Sequence, residues 1–417
     1  MEPGMFLKML RVARRLFSAV KSKPAAFSEW VDRFSPNVKR LLMAAKADID
    51  ANGLSRVNLL IKAFCKQEVL PFCFGVYHTP KTKRLILSFS EHVNAHQGPE
   101  IYGFSKAMAH TFDLANQHTY AVSYSAEQLG WWFHNALSPL DRLLEDDILI
   151  DESFDSDDAR RLALIPLIKH RMSTGDWTHD TDILWSAKAS VLAGDISNMD
   201  GSQTVEHGYL ENAVMLQCGV SPKVVEVERR LWKVSRGLTP HGVYFSTTGR
   251  RKTGSAATSC GNTLQIFTAF RSILEEHQVT DYSLLALGDD TLCVDRSNKI
   301  DHIDWQAEMA KRSYKFKQLL CDPRRAEFCS ARFWATNDGL VLGPKPFRLL
   351  AKTGWTLSNV GLWQQHIRGV MIGLQKDLSF VPVVRSVCSS LLAQTRNHRV
   401  LDMAYDYKAH STNFHEV

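Results

Sequence analysis

The segment SLLALGDDTLCV (Ser283–Val294) constrains the chain more than any other, because two short apolar runs flank Gly288, Asp289 and Asp290. Runs of that length around a glycine-led pair fit a tight β-hairpin. Its tip would carry two adjacent carboxylates, and Gly288 permits the close turn. Upstream, SVLAGDISNMD (Ser190–Asp200) is a second short apolar run ending in acids. A strand that delivers carboxylates to its C-terminal end has this form. Between the two, TGSAATSCGNTLQIFTAF (Thr253–Phe270) is a Gly/Ser/Thr loop running into a helical apolar pattern.

The rest of the chain sets bounds. Its 417 residues are 45% hydrophobic and 23% charged, enough for a sizeable core and unlike a disordered chain. No internal repeat or Gly/Ser-rich linker appears, which argues against beads on a string. A net charge of +6 is compatible with a polyanionic partner. The eight cysteines are scattered without a CxxC pair, so a zinc ribbon and a redox dithiol are excluded and reduced thiols are expected. His92 and His96 have helical ligand spacing but lack the third ligand that zinc needs. No run of about 18 apolar residues suggests a membrane span, and no secretory apolar region is visible. The basic amphipathic stretch FLKMLRVARRLFSAVK (Phe6–Lys21) could lie on an anionic membrane or bind RNA phosphates. Packing on its own domain with a solvated basic face is the expectation. Helices are expected up to about residue 60, over 100–150, and from Pro346 to about 396. Strands or extended loops are expected between Phe64 and Phe89, and a solvated acidic surface over 145–158.

Nucleotidyl transfer needs two divalent cations about 3.5–4 Å apart, one activating a 3′-hydroxyl and one steadying pyrophosphate. Mg²⁺ is usually held by one or two carboxylates plus phosphate and water oxygens. Few acids on adjacent strands suffice, and Asp195, Asp289 and Asp290 have that character. Alone, Gly-Asp-Asp is a common surface turn, and a strand-end aspartate often caps the next helix. Their combination discriminates.

At this point the chain resembles the RNA-dependent RNA polymerases of positive-strand RNA viruses. DISNMD (Asp195–Asp200) fits the D-x4-D of motif A, TGSAATSCGN (Thr253–Asn262) the [ST]-G-x3-T-x3-N of motif B, and LGDD (Leu287–Asp290) motif C, in that order. KAFCKQE (Lys62–Glu68) with KTKRLI (Lys81–Ile86) looks like the split basic motif F. WQAEMAKRSYKFKQLL (Trp305–Leu320), expected as a helix, resembles motif D, and AEFCSARFW (Ala326–Trp334) the motif E hairpin. The motif B form, the EFC and the motif F layout are most like the tombus-like/noda-like group. Thr253 stands where many relatives have Ser, which keeps the hydroxyl. The resemblance spans roughly residues 60 to 355.

The resemblance implies an α+β right-hand polymerase: fingers, a palm with an antiparallel sheet, and a thumb. The expected spans are 1–185 for an N-terminal extension and fingers, 186–348 for the palm with a fingers insertion at about 206–245, and 349–417 for a helical thumb. Asp195, Asp289 and Asp290 would hold two Mg²⁺ ions, with Mn²⁺ a substitute. Asp200 and Asn262 would sense the ribose 2′-hydroxyl, beside Thr253, Gly254 and Thr258. Lys66, Lys83 and Arg84 would neutralise the NTP triphosphate, and Lys317, ahead of Lys315, would be the general acid. Lys345, Arg348 and Lys352 would contact RNA. Implied partners are template RNA, nascent RNA and NTPs, within a membrane-associated replication complex and with no obligate protein partner evident. The implied location is the host cytoplasm, at the surface of intracellular membranes. A reverse transcriptase shares the palm acids but lacks the motif B segment. A non-catalytic RNA-binding scaffold derived from a polymerase would be expected to lose Asp195, Asp289 or Gly288. GRRKTGS (Gly249–Ser255) has no glycine before its lysine and is not a P-loop.

Overall fold

The computed structural model describes residues 1–65, 85–138, 169–170, 173–175, 177–346, 360–378 and 381–399. They form a mixed α+β chain in two compact units. The first unit comprises residues 1–65, 85–120 and 190–320. Its strands, in chain order, are β1 (Ile61–Cys65), β2 (Leu85–Ser88), β3 (His118–Tyr120), β4 (Ser190–Ile196), β5 (Ser235–Leu238), β6 (Tyr244–Thr247), β7 (Tyr282–Leu287), β8 (Asp290–Asp295) and β9 (Phe316–Cys321).

A five-stranded sheet ordered β3-β7-β8-β4-β9 forms the centre of this unit. β7 and β8 are an antiparallel hairpin closed by the pair Leu287↔Asp290. β8 pairs antiparallel with β4 from Ser190↔Asp295 to Gly194↔Thr291. Leu284, Leu285, Ala286, Leu292, Cys293 and Val294 are buried, as expected of central strands covered on both faces. One cover is the helix Thr258–Glu276, which packs on β7 and is buried on nearly every side. The sheet is not wholly antiparallel as expected, because β3 joins β7 in parallel. A parallel pair needs a long crossover, and the chain between β3 and β7 supplies one. β3 also interrupts the helix expected over 100–150, separating the helices Glu91–Thr111 and Ala126–Leu137.

A second sheet, ordered β2-β1-β5-β6, brings Cys65 opposite Leu85. The helices Met5–Leu16, Phe27–Val31 and Pro36–Asn52 fill the expected N-terminal helical stretch. Met5–Leu16 packs on Thr258–Glu276 and Val205–Cys218, with Met9, Val12 and Ala13 buried. Part of its basic face is spent on its own unit: Lys8 pairs with Glu276 at 2.7 Å, and Arg15 with Glu275. The helix expected through Trp305–Leu320 is corrected to a helix at Trp305–Lys311 followed by β9. Ser313, at φ 65°, takes the left-handed conformation that a helix cannot continue through.

The second unit takes the described residues of 121–189 and from 321 onward. Its strands β10 (Glu327–Phe328), β11 (Ala331–Thr336) and β12 (Gly339–Pro344) form an antiparallel meander. The helix Ala126–Leu137 packs on β12 so closely that a Cβ on Gly130 would come within 1.7 Å of the Leu340 carbonyl oxygen. The helices Trp363–Leu378 and Pro382–Gln394 share a core of Ile367, Val370, Met371, Leu374, Val384 and Cys388. Among the described residues, no helix is long and apolar enough to cross a membrane.

Candidate active site

The first unit holds Asp195, Asp289 and Asp290 at one end of its central sheet. Asp195 is the penultimate residue of β4. Continuing the register one step beyond Gly194↔Thr291 sets it opposite Asp290, the first residue of β8. Asp289 lies in the two-residue turn with Gly288, whose φ of 64° is the value a primed hairpin turn requires of its first position. The turn is held from behind: the Gly288 amide donates to Thr263 Oγ1 at 2.8 Å. Thr263 follows Asn262 on the helix Thr258–Glu276, so one helix contacts both Asp200 and the turn that carries Asp289.

Asp200 sits in the one-turn helix Met199–Ser202, entered through Asn198 at φ 52°. Asn262 Nδ2 donates to Asp200 Oδ1 at 3.2 Å. Its own oxygen accepts from Gln203 Nε2 at 2.7 Å. Gln203 Oε1 in turn accepts from Arg251 Nε at 3.2 Å, and Arg251 forms a buried ion pair with Glu211. Gln265 Nε2 donates to Glu211 at 3.1 Å and accepts at its oxygen from the Tyr314 hydroxyl at 2.6 Å.

The loop before this helix is tied down on both sides. Gly254 donates its amide to the Leu87 carbonyl at 2.9 Å and bridges Ser88 in parallel. A Cβ on Gly254 would come within 2.8 Å of Ser88 Cα, so the position needs glycine. Thr258 Oγ1 lies 2.9 Å from the Ser255 carbonyl, 3.1 Å from that of Thr253 and 3.2 Å from that of Lys252. Thr258 and Asn262 are four residues apart, yet the first faces its own loop and the second faces Asp200. Beneath the loop, the Ser255 hydroxyl donates to Glu228 at 3.3 Å. Burial, with Glu211 nearby, pushes the Glu228 carboxyl up to about 7. Burial likewise brings Lys252 down to about 8, its ammonium donating to the Leu231 carbonyl at 2.7 Å.

Lys317, on β9, has its Nζ 3.8 Å from Asp195 Oδ2, with both side chains more than half exposed. Lys315 is exposed on the same strand approach, and its carbonyl accepts from the Ser197 amide at 2.9 Å. In the second unit, Lys345 pairs with Glu327 at 2.5 Å. Lys66, Lys83, Arg84, Arg348 and Lys352 lie outside the described residues.

Among the described residues, no three His, Cys, Asp or Glu side chains converge as a closed metal cage. The donors at the sheet end are nevertheless all hard oxygens from adjacent chain segments. Mg²⁺ takes one or two such carboxylates and completes its shell with phosphate and water. The residues fit such an ion as partial contributors.

A family model described as RNA dependent RNA polymerase matches residues 166–415, more than half of the chain. The chain belongs to the RNA-dependent RNA polymerase family. It is therefore an RNA-directed RNA polymerase, a nucleotidyltransferase that takes NTPs and an RNA template, and its family uses divalent metal ions. The match supports the likeness to polymerases of positive-strand RNA viruses. No curated protein matches the polymerase.

Several polar residues around the site escaped the sequence reading. Gln203 is only three positions past Asp200, and Arg251 and Lys252 lie in GRRKTGS, whose sequence signals nothing beyond its lack of a phosphate-loop glycine. Thr263 has no outward signal beyond being a hydroxyl in an apolar helix.

Proposed function

We propose that this polymerase copies a viral RNA genome by two-metal-ion nucleotidyl transfer onto an RNA 3′ end. The observation that carries this is the β4–β8 register, which brings Asp195 beside the Gly288-Asp289-Asp290 turn. Asp195, Asp289 and Asp290 would hold two Mg²⁺ ions, for which Mn²⁺ could substitute. Such ions, when bound, lower the 3′-hydroxyl pKa and steady the leaving pyrophosphate. Asp200 and Asn262 form the sugar-sensing pair. A site built to hydrogen-bond a hydroxyl rejects the analogue lacking it, because its polar groups are left unpaired.

Lys317 is the candidate proton donor to pyrophosphate, with Lys315 the alternative. Lys66, Lys83 and Arg84 neutralise the triphosphate, Arg84 gripping two oxygens at once. Lys345, Arg348 and Lys352 contact the RNA backbone, which positions the strand without reading its sequence. Thr253, Gly254 and Thr258 shape the loop beside the nascent pair. In this proposal the five-stranded sheet is the palm of a right hand, flanked by fingers, with the C-terminal helices as thumb. A tombus-like/noda-like kinship, and work in the host cytoplasm within a membrane-associated replication complex, complete the proposal.

Primer extension on an RNA template with Mg²⁺ tests it. Asp289→Ala should lose at least about a thousandfold in rate, the several kcal/mol expected of a metal-holding carboxylate. Wild-type extension by that variant would remove the assignment. RNA binding without any extension by the native chain would favour the scaffold alternative.

A further inference from the structure

Asn262 can turn either its amide nitrogen or its oxygen toward Asp200, and only the nitrogen can donate to a carboxylate. The hydrogen bonds behind it run in one direction. Arg251 can only donate, and gives its Nε–H to Gln203 Oε1 at 3.2 Å. Gln203 is thereby committed to presenting Nε2 to Asn262 Oδ1, at 2.7 Å. That bond in turn commits Asn262 to facing Asp200 with Nδ2, at 3.2 Å. Gln203 is 1% exposed, and Arg251 and Asn262 3% each, so water offers little competition. Arg251 is itself anchored. It pairs with Glu211, donates from Nη1 to the Ala257 carbonyl at 3.2 Å and lies 5.3 Å from the Trp232 ring centroid. Its backbone amide reaches the Asp200 carbonyl at 3.2 Å.

We propose that Gln203 is a positioning residue for ribose selection, held in its own sense by Arg251. It fixes the Asn262 amide in the orientation that a sugar-sensing pair with Asp200 needs. This rests on the sensing role proposed above for Asn262 and Asp200. Without the Gln203 donor the amide is free to turn, and an oxygen facing the carboxylate would repel it and spoil the pair's grip on a 2′-hydroxyl.

Single-nucleotide extension by the full chain decides the matter. The ratio of kcat/KM for a ribonucleotide to that for its 2′-deoxy analogue is measured in the native protein and four variants. These are Asn262→Ala, Gln203→Glu, Gln203→Leu, and Gln203→Leu combined with Asn262→Ala. Gln203→Glu keeps the volume and still accepts from Arg251, but cannot donate to Asn262. Its ratio should fall roughly fivefold, the scale of one net hydrogen bond, with ribonucleotide efficiency falling more than deoxynucleotide efficiency. The double variant should discriminate no worse than Asn262→Ala alone, because Gln203 acts through Asn262. An unchanged ratio in both Gln203 variants, with discrimination lost in Asn262→Ala, overturns the positioning role alone. An unchanged ratio in Asn262→Ala overturns the sensing pair and the positioning role together. Equal losses for both sugars in the Gln203 variants would mark a merely structural residue and also overturn the proposal. Should Gln203→Glu not fold, as judged by thermal melting, the comparison of Gln203→Leu with the double variant decides.

Discussion

Glu228 keeps a carboxyl where almost no water reaches it. Burial raises its pKa to about 7, Glu211 adds to the rise, and Arg251, Lys252 and the Ser255 hydroxyl pull the other way. Between the ordinary carboxyl value and about 7 the folded chain holds a proton that the unfolded chain has released. Stability from this group is therefore lost as pH rises through that window, and is level above it. Replacing it as Glu228→Gln should help more at pH 8 than at pH 5, by on the order of 1–3 kcal/mol. Denaturant melts at the two pH values check this, and the same offset at both would contradict it. His207 pulls oppositely in both proteins and so cancels. Burial brings it down to about 4, its Nδ1 accepts from the Thr204 amide at 3.0 Å, and its Nε2 lies 3.0 Å from the Arg312 carbonyl. A neutral ring with its proton on Nε2 satisfies both contacts. It also serves where a capping box usually has glutamate or glutamine, starting the helix that follows Gln203.

At the scale of elements, β4 and β9 meet through a missing side chain. A Cβ on Gly194 would lie 2.4 Å from Phe316 Cζ, and that ring is buried against Phe270 and Trp305. The ring has little room to yield. Gly194→Ala should cost about 1–3 kcal/mol through overpacking and slow extension by moving Lys317 away from Asp195. A native melting temperature and rate would show instead that β9 gives way freely. These two strands also mark the limit of what the sequence made legible. β4, the β7–β8 turn and the loop-to-helix at Thr253 could be read because each is set by local signals: an apolar run, a glycine with its acids, a helical period. β9 could not, because KFKQLL alternates lysines with apolar residues weakly and its strand state depends on a distant edge. β3 is three residues long, and its parallel partner lies far along the chain. Roles were legible only through the family likeness. Gln203, Arg251 and Thr263 stayed hidden because hydrogen bonds between separated segments leave no period.

For the whole molecule, a net charge of +6 is modest, so RNA affinity must come from where the basic residues cluster. With five or more phosphate contacts on single-stranded RNA, log K should fall against log salt with a slope of about −3.5 or steeper. A titration series from low to physiological salt measures it, and a flat response would contradict a basic RNA track. Asn262 and Thr263, neighbours on one helix, reach further than either contact alone. One touches Asp200, while the other holds the amide of the turn that carries Asp289. A small rotation of that helix moves both. Accuracy of sugar choice and pace of copying would then be inherited as a single trait. Variants selected for a stricter enzyme through this helix should tend to be slower ones.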